Sequence, residues 1–204
     1  TRMLADHGAL MTGIDCSVEM LGRAAQPTAG RISYICMDMR RIALRAPFAA
    51  VIIPYNTLNL LTERDDIAAC LQGCRDHLLP GGKLLLHLYA GGDELAGSET
   101  LFQFQLFPYG DGTLIKESLR SSSAPGIVQL EERYKKRPSS GDGDRANYRH
   151  IHRICGWNAA EWRAAINAAG FAIIAEYDGL PPESTVKTTL GAGTLLIVAV
   201  ANHE

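Results

Sequence analysis

Two apolar runs in this chain end on an acid, and that ending restricts what they can build. Leu10-Met-Thr-Gly-Ile-Asp15-Cys-Ser17 is echoed in kind by Tyr34-Ile-Cys-Met-Asp38-Met39. A short apolar strand over 9–14 that stops at Asp15, with Ser17 as N-cap of the next helix, leaves a carboxylate at the strand's carboxyl edge. Open α/β sheets bind ligands at that edge. An acid there can accept hydrogen bonds from both hydroxyls of a ribose. The second acid falls at the next strand end, with Asp38 placed for the exocyclic amine of an adenine and Met39 for its ring edge. Each position also has a plainer use: Asp15 as a cap on its helix, Asp38 as the partner of Arg40 or Arg41.

The pattern continues in the same sense. Ser17 caps a short helix whose Met20, Leu21 and Ala24 share a face, and Pro27 to Gly30 stops it. Ile32 to Met37 reads as the next strand. Phe48 to Ile53, bounded by Pro47 and Pro54, is a continuous apolar run of the kind buried on both faces. Thr62 is positioned to cap a helix carrying Ile67, Leu71 and Leu78 inward, and Pro80-Gly81-Gly82 ends it before a strand over 83–89. Strand and helix alternating this way predict a doubly wound, mostly parallel α/β sheet.

Residues 90–156 change character. Phe102, Phe104 and Leu106 alternate with Gln103 and Gln105, and the runs 114–120, 127–135 and 148–154 are separated by Ser, Gly and Pro clusters. That is the pattern of an antiparallel sheet inserted into the domain, either a lid or floor over an acceptor pocket or a dimerisation surface. After it, Asn158 and Glu161 form a capping-box pair, Trp162, Ala165, Ile166 and Ala169 form a buried stripe, and Gly170 stops the helix. Strands over 171–177 and 193–201, joined by a long turn-rich connection, suit a C-terminal antiparallel hairpin. The chain therefore divides into 1–89, the ligand-binding part; 90–156, the insertion; and 157–204, the helix and strand pair that complete the first part.

Composition excludes some classes. A net charge of −2 over 204 residues argues against the basic surface that nucleic-acid binding needs, and the one basic cluster, 133–137, follows Glu131 and Glu132. No apolar run approaches the roughly 20 residues that span a bilayer. The five cysteines show neither a paired framework nor metal-ligand spacing, which points to the cytoplasm and to no metal. Cys70 and Cys74 lie one helical turn apart and read as core.

Gly13-Ile-Asp15-Cys-Ser17-Val-Glu-Met20-Leu21, Asp38-Met39-Arg40, Phe48-Ala-Ala-Val-Ile-Ile-Pro54-Tyr55-Asn56-Thr57-Leu58 and His77-Leu78-Leu79-Pro80-Gly81-Gly82-Lys83-Leu84 resemble, in order and spacing, successive motifs of the class I S-adenosylmethionine-dependent methyltransferases. Gly170-Phe171, between helix and strand, resembles the family's late segment. The resemblance implies a Rossmann-like methyltransferase sheet, S-adenosylmethionine as cofactor and methyl transfer to a small-molecule acceptor. A binding or oligomerisation module on a degenerate methyltransferase fold is the alternative, and a nicotinamide-dinucleotide enzyme fits the later motifs less well. The family's glycine-rich loop should precede this sequence, yet residues 1–8 read as the end of the helix that follows it. The resemblance thus implies that the first strand and its loop are absent, that a natural form has about 30 or more additional N-terminal residues, and that cofactor affinity is poor without them.

Carried onto this chain, the resemblance assigns Asp15, Cys16, Met20, Asp38, Met39, Tyr55 and Asn56 to the cofactor, although a Met at a helical apolar position such as Met20 is more often core. Tyr55 and Asn56 border donor and acceptor alike, so Tyr55 is also a candidate for aiming the acceptor's lone pair; a turn satisfying its own backbone through Asn56 is the alternative. His87 and Tyr89 share one face of a strand. His87 is a candidate general base or a satisfied structural histidine, and Tyr89 a candidate acceptor contact. Tyr148, His150 and His152 alternate on one side of an insertion strand and are candidates to line the acceptor pocket, with a metal held by the histidine pair as the lesser alternative, for want of a carboxylate at clear spacing. The partners expected are a small molecule and, through the insertion, a second copy of the chain as a homodimer; nucleic acid and membrane are not.

Overall fold

A computed structural model describes residues 2–25, 32–92, 95, 101–139, 146–179 and 193–202. A short helix α1 (Arg2–Asp6) leads into β1 (Met11–Asp15), α2 (Val18–Ala24), β2 (Ile32–Cys36) and a single 3₁₀ turn, Met39–Arg41. Then come β3 (Phe48–Ile53), a second 3₁₀ turn (Thr57–Leu60), α3 (Arg64–Asp76) and β4 (Leu78–Tyr89). The insertion is β5 (Leu101–Tyr109), β6 (Gly112–Ala124), β7 (Ile127–Arg137) and β8 (Asn147–Cys155), after which α4 (Ala159–Ala168), β9 (Phe171–Asp178) and β10 (Thr194–Ala201) close the chain.

The strands form three hydrogen-bonded groups. β1 and β2 pair in parallel, with Asp15 opposite Cys36. A four-stranded sheet runs β3-β4-β10-β9, parallel between β3 and β4 and antiparallel across β10, so the C-terminal hairpin is seated with β10 against β4. The insertion is a four-stranded antiparallel meander, β5-β6-β7-β8. Among the described residues, β1–β2 attaches to the larger sheet not by a strand ladder but through the first 3₁₀ turn and α3. There Arg40 reaches Asp66 at 3.1 Å, Met39 and Ile42 pack on the core, and the Leu44 amide donates to His77 Nε2 at 3.0 Å.

Alternation decides which side of the larger sheet is buried. Leu84, Leu86 and Leu88 of β4 and Leu195, Ile197 and Ala199 of β10 face α3 and α4, where they meet Ile67, Cys70, Leu71, Cys74, Trp162 and Ile166. The intervening residues, Leu85 and His87 on β4 and Leu196 and Val198 on β10, are half-buried on the other side. On β3, Ile52 is 42% exposed. The expectation that β3 is buried on both faces is therefore corrected: among the described residues no strand pairs with its second edge, and Ala50 and Ile52 stay exposed.

Other local readings shift by a residue or two. The N-cap of α3 is Glu63, not Thr62, whose hydroxyl instead donates to the Glu63 carboxylate. α3 ends at Asp76, and Leu78 already belongs to β4, paired with Phe48, because the strand ladder captures the backbone ahead of Pro80. Met20 is exposed rather than core. Ser17 caps α2 through the Met20 amide, the Asn158–Glu161 capping box is formed, and Gly170 follows α4 at a φ of 81° that suits glycine alone. The Pro27–Gly30 stop, residues 140–143 and most of the connection between β9 and β10 lie outside the described residues.

Candidate functional site

Asp15 ends β1 and Asp38 follows two residues after the end of β2, so both sequence-predicted acids lie at the carboxyl end of the parallel pair. The Met37 amide donates to the Asp15 carbonyl at 3.0 Å, which carries the ladder past the last strand residue and fixes how the two turns leave the sheet. Asp15 is half-buried, and its Oδ1 accepts the Ser17 amide at 2.8 Å. That bond turns the backbone into α2 and holds the carboxylate in place, while Oδ2 takes no protein hydrogen bond among those described. Cys16 follows, exposed, its carbonyl accepting the Cys36 thiol at 3.7 Å. Met20 lies one turn into α2 with its side chain in solvent.

Asp38 is engaged differently. Its Oδ1 accepts the Arg40 amide at 2.9 Å and caps the 3₁₀ turn, and the Arg40 guanidinium closes on both carboxylate oxygens, at 2.6 Å from Nη2 to Oδ2. The Arg40 side-chain contact, with the amide bond second, pulls the carboxyl down to about 2, so Asp38 is an anion at any working pH. The pairing with Arg40 that the sequence offered as the plainer reading is thus formed, and it occupies the acceptor sites of Asp38. Of the two acids, Asp15 is the one with an oxygen that takes no hydrogen bond among the described residues.

At the tip of β3 the chain makes an unusual turn. Tyr55 and Asn56 both adopt φ of 56°, the left-handed region, in succession and without a glycine. The Asn56 amide donates to the His87 carbonyl at 3.0 Å and the Tyr55 amide to His87 Nδ1 at 3.3 Å. The Thr57 hydroxyl donates to the Pro54 carbonyl at 2.6 Å. Tyr55 is 85% exposed, whereas Asn56 Oδ1 is buried and, among the described residues, has no donor. Burial pushes the His87 imidazole below its ordinary value, so the ring is neutral at pH 7.

Tyr89, one pair of residues further along β4, is buried; its hydroxyl donates to the Gly91 carbonyl at 2.9 Å and its ring lies under Arg120. Tyr148, His150 and His152 occupy one side of β8, as the alternation predicts. Tyr148 and His150 are exposed, His152 is half-buried, and the two imidazoles stand 3.9 Å apart. On that same side lie Lys116, Glu132 and Tyr134, joined by a Lys116–Glu132 ion pair at 2.5 Å and a Tyr134 hydroxyl that donates to Glu132 at 3.0 Å. Among the described residues no group of three or more His, Cys, Asp or Glu is placed to hold a metal ion. Burial of Cys70 and Cys74 fits their core reading.

The residue sequence reasoning missed is Asn59. Fully buried, its amide donates to the carbonyls of Tyr89 and Cys155, both at 2.8 Å, and accepts the Tyr89 amide at 3.1 Å. It thereby ties the segment after β3 to the end of β4 and the end of the insertion. A polar residue in the apolar run Leu58-Asn59-Leu60-Leu61 was the available signal. A cleft of about 580 Å³ opens beside this junction, lined by Arg64, Asp65, Arg153, Trp157 and Glu161 among others, and none of the strand-tip residues lines it.

Residues 1–82 match the family model of a methyltransferase domain. Over 90 residues, 43% of this chain, the sequence is 34% identical to YqeM of Bacillus subtilis (strain 168), a protein named as a methyltransferase, and the matched stretch spans 36% of that relative. Among solved structures, the S-adenosylmethionine-bound amino pentose methyltransferase CalS10 of Micromonospora echinaspora superposes with a TM-score of 0.72 at 22% identity, covering 94% of this chain and 73% of CalS10. DesVI of Streptomyces venezuelae gives 0.76 at 20% identity, covering 94% and 74%. The fold is that of the class I S-adenosylmethionine-dependent methyltransferases, and it includes the antiparallel insertion as well as the matched segment.

Proposed function

We propose that this chain, built on the class I methyltransferase fold, binds S-adenosylmethionine and transfers its methyl group to a small-molecule acceptor. The observation that carries the reading is the tip of β1: a half-buried Asp15 held by the Ser17 amide, its second oxygen without a hydrogen bond among the described residues, beside the tip of a parallel neighbour. Such an acid suits the two hydroxyls of a ribose, and the buried acceptor Asn56 Oδ1, without a donor of its own, suits a ligand N–H or O–H once the turn admits one. The residues present fit the group. Bound there, the cofactor supplies an activated methyl for in-line displacement by a lone pair.

The chain's own part is positioning. Asp15 accepts the sugar hydroxyls; Cys16 and Met20 border the same edge from the start of α2. Met39, set by the Asp38–Arg40 clamp, flanks the purine, with Asp38 as a fixed negative charge beside it. Tyr55 and Asn56 stand between donor and acceptor. Tyr148, His150 and His152 line the acceptor side of the insertion, a polar and aromatic wall suited to a modest hydroxylated or amino-bearing molecule. CalS10, an amino pentose methyltransferase by its name, supports an acceptor of that size. The cytoplasm is the proposed compartment, supported by five free cysteines. Exposed Phe104, Leu106 and Ile151 on the insertion sheet support a homodimer.

A methyltransferase-like binding module is the second reading, favoured by the commitment of Asp38, both of whose carboxylate oxygens accept from Arg40. Calorimetric titration with S-adenosylmethionine, S-adenosylhomocysteine and NAD, on this chain and on one extended at its N-terminus, separates them. Binding of the sulfur nucleosides is expected. Failure of the extended chain to bind either one supports the module, and preference for NAD overturns both.

A further inference from the structure

We infer that His87 is a positioning residue: its imidazole, as an acceptor at Nδ1, holds Tyr55 and Asn56 in the left-handed turn that presents them at the tip of β3, and it does not serve as a base. The inference rests on the proposed reading only for the ligand of that turn; the geometry of the turn stands without it.

Two successive non-glycine residues at φ of 56° are a strained arrangement, one that persists only where its surroundings hold it. Besides the turn's own bonds to the Pro54 and Asn56 carbonyls, His87 supports it twice. Its carbonyl accepts the Asn56 amide at 3.0 Å, and its ring Nδ1 accepts the Tyr55 amide at 3.3 Å. The second bond fixes the tautomer. A nitrogen that accepts an N–H carries no proton, so the ring proton sits on Nε2, and the lone pair a base would use is already engaged. Protonation of Nδ1 would set one N–H against another and take away the support of Tyr55.

The surroundings keep the ring neutral. Tyr55 is the titratable side chain that faces it from the end of β3, its ring centroid 6.1 Å away; Leu196 lies opposite on β10, and Leu85 and Tyr89 are its neighbours along β4. The downward shift of the imidazole comes from burial, with no charged side chain contributing. The sign follows. A group whose basicity is depressed in the folded protein contributes its stabilisation above its ordinary value near 6.5, and loses it as the pH falls through the lowered one.

The test is a pH titration of the full chain labelled with ¹⁵N, read by NMR at the His87 ring and the Tyr55 amide. At pH 7.5 the ring is expected as the Nε2–H tautomer, and on acidification the Tyr55 amide should shift with the midpoint of ring protonation. His87→Asn places an amide oxygen near the position of Nδ1 and carries no titrating proton. It should return the Tyr55 amide to its neutral-pH position and make it insensitive to pH. In parallel, affinity for S-adenosylhomocysteine should fall in the parent chain with the midpoint of ring protonation as the pH is lowered from 7.5, and His87→Asn should recover most of the affinity that His87→Ala loses. An Nδ1–H tautomer, or a Tyr55 amide that ignores ring protonation, overturns the inference. Absence of nucleoside binding at every pH overturns the proposed function instead, and the NMR result still decides the role of His87.

Discussion

Asn59 brackets the backbone of Tyr89 as a neighbouring strand would: its Nδ2 donates to the Tyr89 carbonyl at 2.8 Å and its Oδ1 accepts the Tyr89 amide at 3.1 Å. The same Nδ2 reaches the Cys155 carbonyl, and Trp162 Nε1 donates to the Tyr89 carbonyl at 3.1 Å. β4 thus ends against side chains at the point where the insertion leaves and returns. Asn59, Tyr89, Cys155 and Trp162 are all buried, which makes each bond of the junction costly to lose.

Asn59→Leu should therefore destabilise the protein by about 2–4 kcal/mol, since it leaves the Tyr89 amide and the Cys155 carbonyl buried without partners at about 1–3 kcal/mol each. Trp162 still serves the Tyr89 carbonyl, which keeps the loss from being larger. Urea unfolding followed by tryptophan fluorescence measures it. A loss below about 1 kcal/mol would mean that water or a backbone shift satisfies the junction.

The contrast between Asp15 and Asn59 shows what could be read in the chain. Asp15, Ser17, the Asn158–Glu161 box and the Trp162–Ile166 stripe were legible because each is a local rule: an acid after an apolar run, a cap three residues before its partner, a helical period. The antiparallel character of the insertion was legible from alternation alone. Asn59 was not, because its three backbone partners lie 30 and 96 residues away and only the tertiary fold brings them together. The exposure of β3 was missed for a related reason: an apolar run states which face a strand could bury, not which neighbour is there to bury it. Nor could sequence choose between a free and a committed Asp38, a choice made by the short reach of Arg40.

A second junction contact gives a steric prediction. A Cβ added at Gly156 would lie 2.5 Å from Val128 Cγ2 and 3.5 Å from the Val128 amide nitrogen, between the end of β8 and the start of β7. Gly156→Ala should lower stability by about 1–3 kcal/mol, the usual cost of overpacking. Val128→Ala in the same chain should recover part of that loss, because it removes the atom in the way. Thermal unfolding of the two single variants and the double variant reads the coupling, and strict additivity would show that the backbone moves instead.

On the opposite side of the insertion sheet from Tyr148 and His152, Glu131 sits between two arginines, 2.7 Å from Arg149 Nε and 2.6 Å from Arg133 Nε. These contacts, Arg149 first, hold its carboxyl down to about 2. A depressed carboxyl contributes stability above its ordinary value of 4.5 and loses it as the pH falls toward 2. The Tm difference between the parent chain and Glu131→Gln should be greatest near pH 6 and shrink steadily below pH 4.5. Because Arg149 is exposed and Arg133 only half-buried, the effect should also weaken in high salt. A difference that is constant across that range would assign the contribution to packing of the side chain.

The two oxygens of Asp15 make different predictions, and substitution separates them. Asp15→Asn retains an oxygen for the Ser17 amide, so α2 should stay capped and turned as it is, with Tm within about 2 °C of the parent. It replaces the free carboxylate oxygen by an NH₂ group and removes the charge. A ribose hydroxyl would then face a donor instead of an anionic acceptor. Hydrogen bonds to charged groups contribute about 1.5–3 kcal/mol each, so affinity for S-adenosylhomocysteine should fall about 10- to 100-fold or more. Asp15→Ala removes both oxygens. It should lose at least as much affinity and also about 1 kcal/mol of stability, since the Ser17 amide loses its acceptor. Equal affinity in Asp15→Asn and the parent would confine Asp15 to its turn, and would place the sugar of any bound nucleoside away from the end of β1.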